Sequence, residues 1–152
     1  MSDDDVSPMT PTVLGPRFAR AVEWASELHG DQRRKGTDVP YVALLLGVAA
    51  LVLEDGGSES EAIAALLHDA IEDAHVKPKK IRRRFGRKVA RIVKGCTETL
   101  DGELPSRTGK HKGKHRGAAT WRARKEESLA RLRDPDTPTP VLRVKAADAL
   151  FN

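Results

Sequence analysis

Apolar positions step by three and four along most of this chain. Between Arg17 and His29, residues Phe18, Ala21, Val22, Ala25 and Leu28 fall on one side of a helix. Pro16 suits its first turn, and Gly30 is placed to end it. Residues 31–40 (DQRRKGTDVP) form a polar loop punctuated by Gly36 and Pro40. Tyr41–Glu54 predicts a second helix with almost no polar face, expected at the centre of the domain. Ser58 and Glu61 give the next helix a capping box, and its stripe of Ile63, Leu66, Leu67, Ala70 and Ile71 carries it to about Asp73. Pro78 opens a helical stretch to Phe85. Gly86 interrupts it, and Val89, Ile92 and Val93 continue the period to Cys96. Residues 101–119 are glycine-rich and basic, a loop. Thr120 caps a helix at 121–133 with Trp121, Leu129 and Leu132 facing inward. Pro135, Pro138 and Pro140 mark a connection, and a last helix runs from Val141. Residues 1–15, with Pro8, Pro11 and three adjacent aspartates, read as a mobile tail. No segment alternates with period two. The expectation is an all-α domain of about six helices over residues 16–152.

Composition narrows the picture. The chain has 152 residues and a formal charge of +5, and only 4% of its residues are aromatic. That argues against a stacking-based single-strand binder. The longest apolar run, Tyr41 to Leu53, is shorter than the ~18 residues of a membrane span. One cysteine, Cys96, and an acidic start without an apolar core fit a cytoplasmic protein.

The chemistry centres on Leu67-His68-Asp69-Ala70-Ile71-Glu72-Asp73. Adjacent His and Asp on a helix place an imidazole nitrogen and a carboxylate about 100° apart, both within reach of one divalent ion. A mixed nitrogen and oxygen set suits Mn²⁺, Fe²⁺ or Zn²⁺. Glu72 and Asp73 follow four residues after His68 and Asp69. On a continuous helix they lie one turn above the pair, where a general acid or base would act on water.

Four stretches then occur in order: His29-Gly30-Asp31-Gln32-Arg33-Arg34-Lys35 continuing to Pro40-Tyr41; Leu67 to Asp73; Trp121-Arg122-Ala123-Arg124-Lys125; and Val144-Lys145-Ala146-Ala147-Asp148-Ala149-Leu150-Phe151-Asn152. Together they resemble the HD-domain phosphohydrolases, and more closely the hydrolase domain of Rel/SpoT-type enzymes and the small alarmone hydrolases. The resemblance covers residues 17–152. It implies a single HD-domain helical bundle, short at its C-terminus because the chain ends inside the fourth stretch. It implies one metal ion, Mn²⁺, held by His68, Asp69 and Asp148, with Glu72 and Asp73 guiding the attacking water. Arg34 and Lys35 correspond to contacts with the guanine base and phosphates, and Asn152 to a contact at the ribose. The implied reaction removes the 3′-diphosphate of guanosine tetra- or pentaphosphate, so a guanine nucleotide is the expected partner.

One departure bears on activity. Where the family has Pro-Tyr-Ile-x-His, this chain has Pro40-Tyr41-Val42-Ala43-Leu44, and leucine cannot coordinate a metal. The second reading is therefore a nucleotide-binding relative with impaired or lost catalysis. His29 reads as packed or hydrogen-bonded, His75 as a surface residue, and Cys96 and Trp24 as core. The ten Lys and Arg of residues 76–97, without one acid, give a third and lesser reading, a nucleic-acid surface, against a solvated face or an attracting field. His111-Lys112-Gly113-Lys114-His115 reads as a surface loop.

Overall fold

The computed structural model describes residues 11–97, 134–152 and seven positions between 122 and 133 (122, 125, 126, 129, 130, 132 and 133). Residues 1–10 of the tail expected at 1–15, the 101–119 loop, the Thr120 cap, Trp121 and the His111–His115 segment lie outside the described residues; of the tail's remainder, Thr12 donates to the Gly57 carbonyl at 2.9 Å, so this part is held against the body. Seven helices have defined bounds: α1 Pro16–Leu28, α2 Val42–Glu54, α3 Glu59–Leu67, α4 Ala70–Ala74, α5 Pro78–Phe85, α6 Arg87–Cys96 and α7 Thr139–Phe151. The described positions between 122 and 133 are also helical. Among the described residues there is no strand, only an isolated antiparallel bridge between Arg33 and Pro40. None of the helices is long and apolar enough to cross a membrane. The all-α expectation holds.

Local chemistry sets several helix ends where the sequence puts them. The Ser58 side chain accepts from the Glu61 amide, and Glu61 reaches back to the Ser58 amide, closing the capping box of α3. Gly86, at φ 95° and ψ 173°, separates α5 from α6 in a conformation that side-chain-bearing residues rarely adopt. The start of α1 is tied to α3 and α5. The Gly15 amide donates to Glu59 Oε2, and Arg17 donates to the Phe85 carbonyl at 2.7 Å.

Three expectations need correction. The third helix does not run through to Asp73. It ends at Leu67, and α4 begins at Ala70, with Asp69 at φ −98° and ψ 0° between them. The break lies at the His68-Asp69 pair, where the Asp69 carboxylate is held from another element by the Tyr41 hydroxyl. The most enclosed helix is α3, not α2. Every residue from Glu61 to Leu67 is buried. Alanines at 62, 64 and 65 let α1, α2, α6 and α7 all close on α3. The more apolar α2 leaves Leu46 44% exposed. Leu129 is also not inward in the core sense: it is half-exposed and faces a cavity, described below, with the partly buried Leu132. Trp24 is core as expected, stacked on Phe85 with ring centroids 5.8 Å apart.

Candidate active site

A cavity of about 770 Å³ opens between the 31–40 loop, the α3–α4 break, the end of α6, the 122–133 segment and α7. The Arg33–Pro40 bridge folds the loop back on itself. The Arg34 amide donates to Val39 O and the Tyr41 amide to Gln32 O, both at 2.9 Å, while Gly36 turns at φ 73°. This sets Arg34 and Lys35 on one wall. On α7, Lys145, Asp148, Ala149 and Asn152 recur at helical spacing, so one face of that helix supplies another wall.

Of the eight residues singled out from the sequence, seven line this cavity: Arg34, Lys35, His68, Asp69, Glu72, Asp148 and Asn152. Asp73 does not. It is exposed and accepts a hydrogen bond from Gln32 Nε2 at 3.0 Å. With that amide donating, Gln32 Oε1 accepts from His29 Nδ1 at 2.8 Å, which links Asp73 to the buried His29. His75 is exposed, at φ 54°, and ends α4.

The tightest constellation is His68 with the two aspartates. His68 Nδ1 donates to Ala65 O at 2.6 Å, which turns Nε2 toward Asp69 Oδ2 at 3.1 Å and Asp148 Oδ1 at 3.5 Å. His68 Nε2 and Asp148 Oδ1 are fully enclosed, and neither has a hydrogen-bond partner. Three electron-rich atoms so placed repel one another unless positive charge lies among them. Either a proton on Nε2 or a cation supplies it. Burial opposes the imidazolium form, but Asp69 and Asp148 outweigh that and raise His68 well above its usual range. Burial would also raise Asp69. The neighbouring His68 charge and the Tyr41 hydroxyl override it and hold Asp69 at about 2. The separations resemble the edges of a coordination shell with bonds of about 2.1 Å, which run from about 3.0 to 3.4 Å. His68 Nε2 thus lies within 3.5 Å of both carboxylates, while among the described residues no group of three or more His, Cys, Asp or Glu is already arranged to hold a metal ion. Leu44, only 3% exposed, lines the same cavity.

Sequence reasoning missed three contributors. Tyr41 donates its hydroxyl to Asp69 Oδ2, and burial followed by the Asp69 charge raises the phenol beyond its ordinary range. Its presence beside Pro40 in the first stretch was the available signal. Lys145 lines the cavity while 9% exposed; its place in the fourth stretch, three residues before Asp148, was the available signal. Cys96 is buried as expected, yet it also borders the cavity; burial pushes its thiol up to about 11. Arg34 sits over the Phe151 ring, 5.3 Å from its centroid.

Residues 21–150 match the family model described as HD domain. A guanosine-3′,5′-bis(diphosphate) 3′-pyrophosphohydrolase of Aquifex aeolicus is 38% identical over 133 residues, 88% of this chain and 17% of that protein. A Xenopus tropicalis protein with the same activity in its name is 40% identical over 88 residues, 56% of this chain and 48% of that protein. The chain thus spans no more than about half the length of these relatives. Among solved structures, a metazoan ortholog of SpoT described as hydrolysing ppGpp superposes with a TM-score of 0.68 at 22% identity, covering 93% of this chain and 70% of the other, and shares the fold. On the match over residues 21–150, the chain belongs to the HD-domain family.

Proposed function

We propose that this chain is a metal-dependent hydrolase that removes the 3′-diphosphate of guanosine 3′,5′-bis(diphosphate)-type nucleotides as pyrophosphate. The observation that carries the reading is the enclosed His68 Nε2 and Asp148 Oδ1, unpartnered beside Asp69 at a cavity whose other wall bears Arg34 and Lys35. His68, Asp69 and Asp148 would hold one divalent ion, Mn²⁺ in this reading. Such an ion acidifies water and offsets charge at phosphorus. The names of the relatives supply the substrate class.

The chain's own residues do the rest. Ala65 O fixes the His68 tautomer, and Tyr41 fixes the Asp69 carboxylate. Water attacks the phosphorus bonded to the ribose 3′-oxygen. Glu72, on the cavity wall one turn beyond His68, takes the water's proton. The P–O3′ bond breaks, Glu72 returns that proton to the 3′-oxygen, and pyrophosphate and the 5′-diphosphate nucleotide leave. Asp73 acts through Gln32 rather than on the substrate. Arg34, stacked on Phe151, offers its free face to guanine; Lys35 meets phosphate and Asn152 the ribose.

The test is pyrophosphate release from guanosine tetraphosphate with added Mn²⁺. We expect metal-dependent turnover that chelator stops and that His68→Ala and Asp148→Asn each reduce at least 100-fold, roughly the scale of losing a ligand or its support. Absence of turnover with every first-row divalent ion overturns the reading.

A further inference from the structure

We propose that Lys145 forms a separate anion subsite in this cavity and grips the diphosphate group that the reaction releases; the proposal rests on the hydrolase reading above. Lys145 lies in α7 and is only 9% exposed. Lysines are almost never that buried unless an acid or a hydrogen-bond acceptor answers the charge. Here none does. His68 pairs with Asp69 and Asp148, and among the described residues Lys145 takes part in no ion pair or hydrogen bond. Its side chain nonetheless lines the cavity. Nζ is not among the sealed, unpartnered polar atoms, so the ammonium keeps access to that space.

Position on the helix gives the subsite its task. Lys145 is three residues before Asp148, on the same face of α7. Asp148 belongs to the hydrolytic trio, so the reacting phosphorus must lie close to it. Arg34 and Lys35 come from the 31–40 loop and serve the nucleotide. Lys125 reaches the cavity from the 122–133 segment, and Lys145 is the cation that α7 itself places one turn from the centre. An ammonium is a compact point charge with three donors, suited to a multiply charged phosphate group. Packing alone would favour an apolar side chain here, because an unpaired buried charge destabilises the fold. A lysine in this place is explained by an anion that arrives with the ligand.

Calorimetric titration of inorganic pyrophosphate into the full chain tests this, with the parent, Lys145→Met and Lys145→Arg compared alongside their melting temperatures. Met keeps the length and loses the charge. We expect Lys145→Met to weaken pyrophosphate binding about ten-fold or more, the scale of a lost charge-assisted hydrogen bond. Its melting temperature should hold or rise, because a desolvation cost disappears. Lys145→Arg should retain most of the affinity. GMP binding, which reads the Arg34 end, should be unchanged in both. If Lys145→Met binds pyrophosphate as the parent does, or loses binding only in step with a fall in melting temperature, the subsite is overturned and the hydrolase reading stands. If the parent neither binds pyrophosphate nor releases it from guanosine tetraphosphate, the hydrolase reading itself fails and the subsite falls with it.

Discussion

In the proposed reading, Leu44 limits how firmly the centre can hold an ion. It faces the cavity that His68, Asp69 and Asp148 share, and it contributes no donor. His68 and Asp69 are already held by Ala65 O and Tyr41, so an added ligand would meet partners that need no rearrangement. Leu44→His should raise Mn²⁺ affinity about 10- to 100-fold, measured by equilibrium dialysis, with turnover at limiting metal rising in parallel. The same change should cost about 1–2 kcal/mol of stability, because a polar ring replaces a leucine enclosed among apolar neighbours. Unchanged metal affinity would show that position 44 does not address the ion. Tyr41 and Leu44 stand one turn apart at the start of α2, so this helix end governs the centre both by what it donates and by what it withholds.

Among the elements, the placement of α7 matters most, because it carries Asp148, Lys145 and Asn152. Two close approaches seat it: a Cβ on Gly47 would lie 2.2 Å from the Phe151 ring, and one on Gly95 would lie 2.7 Å from Val141 Cγ2. An ion-pair clasp fixes its rotation. Arg143 donates to Asp55 Oδ2 at 3.0 Å and to the buried Glu61 Oε1 at 2.7 Å. Arg143→Ala leaves Glu61 without that partner and should cost about 2–3 kcal/mol. In a chain of this size the thermal midpoint should fall by roughly 4–12 °C, read by circular dichroism. A shift of under about 1 °C would mean that the clasp is cosmetic. Much of this architecture was legible. Helical periodicity located α1, α5 and α6, and Ser58, Glu61 and Gly86 announced their own roles. The α3–α4 break was not, because Ala65 to Asp73 contains neither glycine nor proline. The interruption accompanies a long-range contact, Tyr41 to Asp69, that no local pattern encodes. The central place of α3 was hidden for a related reason. Hydropathy ranks α2 higher, whereas enclosure depends on small alanines that let four helices approach. In the site, motif positions were readable, but the burial of Lys145 and the outward position of Asp73 depend on how α7 and α4 pack.

For the molecule as a whole, charge is distributed unevenly, and this bears on how a polyanion reaches the cavity. Residues 76–97 carry ten Lys and Arg and no acid. All ten are exposed, and among the described residues none enters an ion pair. Five of them (Lys79, Arg82, Arg87, Arg91 and Lys94) border a groove of about 550 Å³ beside α5 and α6. No large exposed apolar side chain lies on these helices, so the face has no anchor for inserting into a lipid surface. Cys96, at the end of α6, touches the candidate active-site cavity, which connects the basic helix to the site. A field of this sign raises the encounter rate of a highly charged nucleotide and leaves the chemical step alone. Screening sets in at a Debye length of about 10 Å near 0.1 M salt. Raising ionic strength from about 0.05 to 0.3 M should therefore lower kcat/KM for guanosine tetraphosphate about three- to ten-fold while kcat stays nearly constant. Arg87→Glu combined with Arg91→Glu should flatten that salt dependence and lower kcat/KM at low salt, with kcat retained. An unaltered salt slope in the double variant would make these cations a merely solvated face. Binding of a DNA or RNA duplex that survives His68→Ala and weakens steeply with salt would assign the groove to nucleic acid instead.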